Sequence, residues 1–193
     1  MANIGLYFGS FNPVHIGHLL VATHIKEEAG LDQIWFIVSP LNPFKQNIEL
    51  ADEHHRLEMV KLAVETVDYF KVSDIEFHLE KPSYTHTTLK ELSKQFPAHT
   101  FHLIIGEDNA AKFHQWKEAG WIEQNYNILI YNRELPNPEL VGNLSGENIK
   151  FYSLPLFDIS STNIRSRVKN HQTIHYFVTK NVEQYITFHK LYY

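Results

Sequence analysis

The sequence predicts an α/β fold with a doubly wound, mostly parallel sheet. Short apolar runs alternate with helical patterns along the whole chain, and no internal repeat interrupts them. Some of the runs are continuous rather than alternating, as expected for strands covered on both faces. A chain of 193 residues suits a single domain, 1–193, with a helical segment at about 163–193. At this length roughly 70% of the unfolded chain's surface can be buried, so the core needs no covalent staple.

Six apolar runs are predicted to form the strands. They cover residues 4–8, 33–38, 70–77, 100–105, 126–131 and 149–154. In open parallel sheets, ligands bind beyond the carboxyl ends of the strands. The segments that follow the strands are therefore the candidates for a binding site, namely 9–18, 39–45, 106–108, 131–133 and 155–165.

Helix-forming residues fill most of the intervals between these runs. The predicted helices cover residues 19–28, 52–66, 84–96, a pattern through 110–116, a segment opening at about 160, and a last helix from 182. Ser83 is expected to cap the third of them, because a serine hydroxyl can accept from the free N–H groups of a helix start. Residues 132–148 are rich in Asn, Pro, Gly and Glu, which predicts a long loop.

Composition excludes several classes of partner and site. The formal net charge of −5 and the lack of a long basic run argue against nucleic acid, whose binding depends on phosphate neutralisation. With no cysteine, the chain has neither disulfides nor thiolate metal sites. No apolar stretch approaches the roughly 20 residues needed to span a bilayer, and no signal-like segment opens the sequence. We therefore expect a cytoplasmic protein that does not associate with membranes.

The stretch Gly-Ser-Phe-Asn-Pro-Val-His-Ile-Gly-His at 9–18 joins a predicted strand to a predicted helix. The free N–H groups and the dipole of a helix start favour anions, and this junction offers both. His15 and His18 are three residues apart, so they face one side if the turn is already helical, and both can donate to phosphate. The alternative is that they are ordinary packing or surface residues in a chain with 13 histidines.

A second candidate anion site is Ile-Ser-Ser-Thr-Asn-Ile-Arg at 159–165. Consecutive hydroxyl groups at a helix start can cap the helix or bind a phosphate. Arg165 follows about one turn later, and its planar guanidinium suits phosphate oxygens. Taken alone, the stretch is better explained by a plain helix cap with a surface arginine.

Together, these two stretches resemble the His-x-Gly-His signature and the C-terminal phosphate motif of the nucleotidyltransferases. More narrowly, nearly the whole chain is similar to the bacterial nicotinate-nucleotide adenylyltransferase family. The further features that carry the resemblance are Ser39-Pro40 through Phe44-Lys45, Arg56, Pro82-Ser83-Tyr84-Thr85 with Thr88-Leu89, Gly106-Glu107-Asp108, Trp116, Arg133, Tyr185-Ile186 and Leu191-Tyr192. The resemblance implies a Rossmann-like nucleotidyltransferase fold.

The resemblance also implies an activity. The family transfers the adenylyl group of ATP to nicotinate mononucleotide, which gives deamido-NAD and pyrophosphate in NAD biosynthesis. The expected partners are therefore ATP and nicotinate mononucleotide, and homo-oligomerisation is left open. Mg²⁺ is the expected cofactor, bound mainly through the ATP phosphates, and no metal ligand from the chain is expected.

Residue roles follow from the same resemblance. His15, His18 and Arg165 are expected to be catalytic. The expected ATP-binding residues are Gly9, Ser10, Phe11, Gly106, Asp108, Ser161 and Thr162, and the expected residues for the second substrate are Lys45, Tyr84, Thr85, Trp116 and Arg133. Local sequence leaves three alternatives open: Asp108 as a helix N-cap, Trp116 as a core residue beside Phe113, and Lys45 as a solvated loop lysine.

The chain departs from the family pattern at three positions. It has Ser10 where a glycine or threonine pattern is frequent, Asn12 where aspartate is common, and Thr87 where an acid is common. Asn12 removes a negative charge beside the phosphates, which argues against a charged metal ligand at that position. None of the three deletes a group that the chemistry requires.

Other functions remain to be weighed against this prediction. Related enzymes adenylate nicotinamide mononucleotide or phosphopantetheine, although the latter do not predict the Ser-Tyr-Thr and Trp116 combination. A nucleotide-binding sensor would bind the ligands without turnover. A zinc hydrolase is disfavoured, because no carboxylate-backed ligand set accompanies the two histidines.

Overall fold

The computed structural model describes residues 1–40, 50–132, 144, 146–155 and 158–193. Within these ranges, six strands form one parallel sheet in the order β3-β2-β1-β4-β5-β6. The strands are β1 Asn3–Gly9, β2 Gln33–Val38, β3 Phe70–Ser73, β4 Thr100–Gly106, β5 Asn127–Asn132 and β6 Ile149–Ser153. The chain runs outward from β1 to β3 and then returns to β4 on the other side of β1. The crevice where this order reverses lies between β1 and β4, which is where doubly wound sheets bind ligands.

Seven helices are described, together with two short 3₁₀ turns at Ile75–His78 and Phe113–Gln115. The helices are α1 Ile16–Glu28, α2 Glu53–Val64, α3 Thr85–Gln95, α4 Glu107–Ala110, α5 Ala119–Asn125, α6 Ser161–Lys169 and α7 Lys180–Phe188. Within the described residues, no helix is both long and apolar enough to cross a membrane.

Helices cover both faces of the sheet. On one face, α1, α2, α6 and α7 pack in a core that includes Tyr7 and Phe36. On the other face, α3, α4 and α5 pack in a core that includes Leu6 and Ile37. Neighbouring residues of one strand enter opposite cores because successive side chains point to opposite faces. The prediction of a doubly wound, parallel α/β fold is confirmed.

The third predicted strand is wrong in its second half. β3 ends at Ser73, and a 3₁₀ turn replaces the predicted continuation to Phe77. The Ser73 hydroxyl accepts from the Ile75 N–H at 3.3 Å, and the Phe77 N–H donates to the Asp74 carbonyl at 2.8 Å. These local bonds satisfy the backbone groups, so the chain leaves the edge of the sheet.

The helix predicted through residues 110–116 is broken into α4, a 3₁₀ turn and α5. Phe113 is 2% exposed and anchors the turn in the core. Trp116 has an extended backbone, with φ −73° and ψ 143°, and Glu118 is left-handed with φ 59°. The interruption separates Trp116 from a regular helix and turns it toward the carboxyl edge of the sheet.

Candidate active site

A cavity of about 570 Å³ opens at the carboxyl ends of β1, β4 and β5. We call it the histidine cavity. The residues predicted for ATP binding and catalysis that line it are Gly9, Ser10, Phe11, His15, His18, Gly106, Asp108, Ser161, Thr162 and Arg165. The fold thus brings the two sequence motifs to one site.

His15 and His18 stack at the start of α1. Their ring centroids are 3.6 Å apart with an interplanar angle of 29°. The Nδ1 atom of His18 accepts a hydrogen bond of 3.2 Å from the backbone N–H of His15. Because Nδ1 is an acceptor in this bond, the neutral ring carries its proton on Nε2. His18 is therefore oriented as an Nε2–H donor.

Gly17 is required by the close approach of the His15 ring. A Cβ atom at position 17 would lie 3.0 Å from Nδ1 and 3.2 Å from Cε1 of His15. These distances are shorter than ordinary van der Waals contact, so any side chain would displace the ring. The glycine between the two histidines therefore leaves room for the ring of His15, which is 3% exposed.

The second motif docks directly on the first. Ser160 caps α6 by accepting from the Asn163 N–H at 3.2 Å, as predicted for a helix opening there. The Ser161 hydroxyl donates to the Pro13 carbonyl at 2.9 Å, and Nη1 of Arg165 donates to the Asn12 carbonyl at 2.8 Å. These bonds fix the start of α6, with its free N–H groups and positive dipole end, beside the histidines.

Gly106 and Asp108 form the opposite wall. Gly106 occupies the N-cap position of α4, so the alternative interpretation of Asp108 as the cap is wrong. Asp108 lies inside α4, is exposed, and lines the histidine cavity. A Cβ atom at Gly106 would lie 2.6 Å from Oδ1 of Asp108 and 3.3 Å from the Tyr131 ring. The glycine therefore gives Asp108 the room to face the cavity, where its carboxylate can accept from ribose hydroxyls.

Arg56 secures the floor of the motif loop. Its guanidinium is 1% exposed and donates to the backbone carbonyls of Ser10 and Ser39 at 2.7 Å each, Pro40 at 2.8 Å and Ala51 at 2.9 Å. Burial lowers the pKa of the guanidinium, whereas the nearby Tyr192, Glu53 and Asp52 act to raise it. Arg56 therefore ties together the segments that follow β1 and β2.

A second cavity of about 290 Å³ adjoins the first, and we call it the tryptophan cavity. The predicted second-substrate residues Tyr84, Thr85 and Trp116 line it. Trp116 is half-buried, and the centroid of its ring lies 5.3 Å from that of the buried Phe113. It therefore packs against the core without being a fully buried core residue. The Lys117 ammonium lies 4.5 Å from the centre of the Tyr84 ring. An aromatic wall with one nearby cation suits a flat, negatively substituted ring.

The two cavities share a rim at the switch point of the sheet. The residues common to both are Tyr7, Phe8, Gly9, Ser10, Gly106, Asn109 and Tyr131. Two ligands that filled the cavities would therefore meet above the ends of β1 and β4. This geometry suits a reaction between two bound molecules.

Glu76 is a cavity residue that sequence reasoning missed. It is 2% exposed, lines the tryptophan cavity, and accepts from the hydroxyls of Ser83 at 2.7 Å and Thr88 at 2.8 Å. Burial raises the pKa of its carboxyl group, whereas the hydrogen bonds from Ser83, Thr88 and Ser39 act to lower it. Ser83 thus binds Glu76 rather than capping α3, whose N-cap is Tyr84, so the predicted cap is wrong.

Asn132 is a second residue that the sequence did not single out. It ends β5, lines the histidine cavity and is 6% exposed, and its Oδ1 has no hydrogen-bond partner among the described residues. A buried acceptor of this kind is costly unless something donates to it. Nothing in a lone asparagine after a strand signals this placement.

The remaining predicted positions lie either outside the described residues or outside the lining of the two cavities. Lys45 and Arg133 lie outside the described residues. Thr87 is exposed at the start of α3, with its hydroxyl 3.2 Å from Nε2 of His86. Among the described side chains, no group of three or more His, Asp or Glu residues is arranged to hold a metal ion.

Comparisons with known proteins agree with this architecture. A cytidylyltransferase-like family model matches residues 6–167. Probable nicotinate-nucleotide adenylyltransferases from Cytophaga hutchinsonii and Flavobacterium johnsoniae are each 44% identical to this chain. The first covers 98% of this chain and 97% of its own length, and the second covers 98% of both.

A solved structure shares the fold at lower sequence identity. The Plasmodium falciparum nicotinic acid mononucleotide adenylyltransferase complexed with NaAD superposes with a TM-score of 0.79 at 22% identity, over 100% of this chain and 98% of that one. The family model and the relatives at 44% identity over nearly their full length show the family. The chain belongs to the cytidylyltransferase-like family and, within it, to the nicotinate-nucleotide adenylyltransferases.

Proposed function

We propose that this chain transfers the adenylyl group of ATP to nicotinate mononucleotide, forming nicotinate adenine dinucleotide and pyrophosphate. The observation that carries the proposal is the shared rim of the two cavities. One cavity presents hydrogen-bond donors suited to a triphosphate, and the other presents an aromatic wall suited to a pyridine ring. Family membership supports the same assignment.

The reaction needs positioning more than covalent help. The second pKa of a phosphate monoester is about 6, so the attacking oxygen is largely ionised at neutral pH. That oxygen attacks the α-phosphorus of ATP, the bond from this phosphorus to the bridging oxygen breaks, and pyrophosphate leaves with the electron pair. The chain must hold two anions in line and stabilise the charge that develops.

In the proposed mechanism the histidine cavity supplies that stabilisation. The Nε2–H of His18 and the guanidinium of Arg165 donate to phosphate oxygens, and His15 is held beside them by stacking. Ser161, Thr162 and the start of α6 bind the triphosphate from the opposite side. The Asp108 carboxylate accepts from the ribose, Gly9, Ser10 and Gly106 allow close approach along the rim, and Phe11 lines the histidine cavity beside them.

We propose that Mg²⁺ enters this site on the ATP phosphates rather than on side chains. Mg²⁺ prefers oxygen ligands, whereas His15, His18 and Arg165 offer nitrogen donors. The carboxylates that line the cavity, Glu107 and Asp108, both lie at the start of α4. The ion supplies positive charge to the departing pyrophosphate when it is bound, and the residues described here bind and orient the nucleotide around it.

For the second substrate, we propose that Trp116 stacks on the pyridine ring while Tyr84 and Thr85 line its pocket. Lys45 remains a proposed phosphate-binding residue, and Arg133 a proposed binding residue for the second substrate. We also propose that the enzyme acts in the cytoplasm, since both substrates are charged nucleotides. Light scattering would test whether the chain forms a homo-oligomer.

The decisive experiment is to measure pyrophosphate release with ATP, Mg²⁺ and one acceptor at a time. We expect the highest kcat/KM with nicotinate mononucleotide, compared with nicotinamide mononucleotide and phosphopantetheine. Higher kcat/KM with another acceptor would contradict the proposed substrate. ATP binding without turnover of any acceptor would instead identify a nucleotide sensor.

A further inference from the structure

The segment that follows α7 returns to the loop between β1 and α1. The Leu191 N–H donates to the Ile186 carbonyl at 3.0 Å, and Tyr192 has a left-handed backbone with φ 68°. Leu191 and Tyr192 pack against the core that contains α2 and α6. The proposed function gives this pair of residues no role, although both belong to the family resemblance.

Tyr192 contacts the motif loop through Asn12. Its hydroxyl donates to Oδ1 of Asn12 at 2.9 Å, and the same oxygen accepts from the Ala51 N–H at 3.0 Å. Asn12 is 3% exposed, and its backbone carbonyl accepts from Arg165 at 2.8 Å. One buried residue therefore joins the segment after α7, the segment before α2, and the helix that carries Arg165.

The electrostatic surroundings keep the Tyr192 hydroxyl as a donor. Burial raises the pKa of the phenol, and the nearby Arg165 and Arg56 oppose the shift only in part. The hydroxyl is consequently protonated at neutral pH, as its bond to an amide oxygen requires. Tyr192 itself lies outside the set of residues that line the histidine cavity, whereas its hydrogen-bond partner Asn12 belongs to that set.

We propose that Tyr192 is a positioning residue for adenylyl transfer: its hydroxyl fixes the Asn12 side chain and thereby the loop that leads to His15. This inference rests on the proposed function, because it assigns Tyr192 to the same reaction. Asn12 and His15 are separated by two residues, so rotation of the Asn12 side chain and backbone changes where the imidazole lies. A displacement of about 1 Å in such a group can cost on the order of 10²-fold in rate.

The test is the Tyr192→Phe variant, which keeps the ring and its packing and removes only the hydroxyl. We expect kcat to fall five- to tenfold, while KM for nicotinate mononucleotide stays unchanged because Asn12 does not line the tryptophan cavity. The matched control is Tyr193→Phe, since Tyr193 is adjacent and 61% exposed. Wild-type kcat in Tyr192→Phe, or an equal loss in the control, would overturn the proposal.

A double-mutant cycle with Asn12→Ala separates positioning from general stability. If Tyr192 acts through Asn12, Tyr192→Phe has no further effect on kcat once Asn12 is alanine. Independent losses that multiply in the double variant would show that Tyr192 acts by another route and would overturn the proposal.

Amide hydrogen exchange tests the contact without any substrate. In the wild type, the His15 N–H donates to His18 and the Ile16 N–H donates to the Phe177 carbonyl at 2.9 Å. We expect Tyr192→Phe to speed exchange at these two amides five- to tenfold and to leave β1 unchanged. Unaltered exchange beside normal wild-type turnover would overturn the positioning role alone, whereas absence of wild-type turnover would overturn the proposed function on which that role rests.

Discussion

The two adjoining cavities are built in different ways. The histidine cavity takes most of its polar groups from two short stretches, residues 9–18 and 159–165, each at a helix start. The tryptophan cavity collects short runs from β1, β4, the start of α3 and the segment after α4, together with Glu76 of the 3₁₀ turn at Ile75–His78. The polar groups of the first cavity are therefore concentrated in two motifs, whereas the lining of the second is spread over more elements.

This difference follows from what each cavity is proposed to bind. Phosphate recognition uses backbone N–H groups at helix starts and donors beside them, so its residues concentrate in short stretches at those starts. Recognition of a flat ring depends on shape and apolar contact, which residues from any element can provide. We therefore expect substitutions in the two cavities to affect different kinetic parameters.

The largest expected effect is that of His18→Ala in the histidine cavity. We expect kcat to fall by roughly 10²- to 10³-fold, because one donor to the transition state is lost. The free energy of unfolding should fall by only about 1 kcal/mol, the worth of the bond from the His15 N–H. The measurements are pyrophosphate release and thermal unfolding.

His78→Ala is the control for that variant, because this histidine is largely exposed and lines neither cavity. Loss of folding and activity in the same proportion in His18→Ala would indicate a structural role for His18 instead.

Trp116→Ala should produce the next largest effect, and on the other substrate. We expect KM for nicotinate mononucleotide to rise about 10- to 100-fold, because stacking on an aromatic ring contributes about 1–3 kcal/mol. KM for ATP should not change, and Trp116→Phe should retain most of the affinity. Trp121→Ala is the matched control, since Trp121 lines neither cavity. Equal changes in both KM values would contradict separate cavities.

Glu76→Gln should change how stability depends on pH. Burial raises the folded-state pKa of Glu76 above its ordinary value of 4.5, so the folded protein holds this proton more tightly than the unfolded chain. The stabilising contribution is complete below that ordinary value and is lost as the pH rises through the folded-state pKa. We therefore expect the unfolding free energy of the wild type to fall relative to Glu76→Gln as the pH rises above that ordinary value.

Denaturant unfolding at several pH values measures this difference, with the exposed Glu80→Gln as control. A difference between the wild type and Glu76→Gln that does not vary with pH would show that the buried carboxyl does not titrate as proposed.

The smallest expected effect is that of Lys117→Met at the entrance of the tryptophan cavity. Loss of the cation over Tyr84 should raise KM for nicotinate mononucleotide no more than about fivefold, since such contacts at exposed sites are worth about 0.5–1 kcal/mol. KM for ATP should be unaffected, and the exposed Lys112→Met should match the wild type. A larger change in kcat than in KM would contradict this assignment, because it would indicate that Lys117 acts on the reacting phosphates instead of the pyridine ring.

Much of the fold was predictable because several of the strands are continuous apolar runs. β2 was predicted at its observed bounds, Gln33–Val38, and it is an internal strand, paired with β1 on one side and β3 on the other. β3 was overextended because it is an edge strand, where side-chain and turn bonds compete with the ladder. The break between α4 and α5 depends on the burial of Phe113, which local propensity does not reveal.

The candidate site divides in the same manner. The residues of the two anion motifs were predicted together because each motif is contiguous, and their placement in one cavity follows from the parallel sheet. Glu76 could not be predicted, because its partners Ser83 and Thr88 reach it only after α3 docks beside the 3₁₀ turn. Trp116 was assigned from the family resemblance, since its spacing from Phe113 alone favoured a core position.

The contacts on Asn12 also bear on the order in which the molecule folds. Arg165 and Tyr192 reach this residue across 153 and 180 positions of sequence, so the loop is completed by the most non-local contacts in the site. Such contacts require costly loop closure and form late unless they belong to the folding nucleus. During refolding from denaturant, helix and sheet content should therefore recover before ATP binding does. The interval between the two signals measures how long the chain exists as a folded scaffold that has not yet acquired its reactive loop.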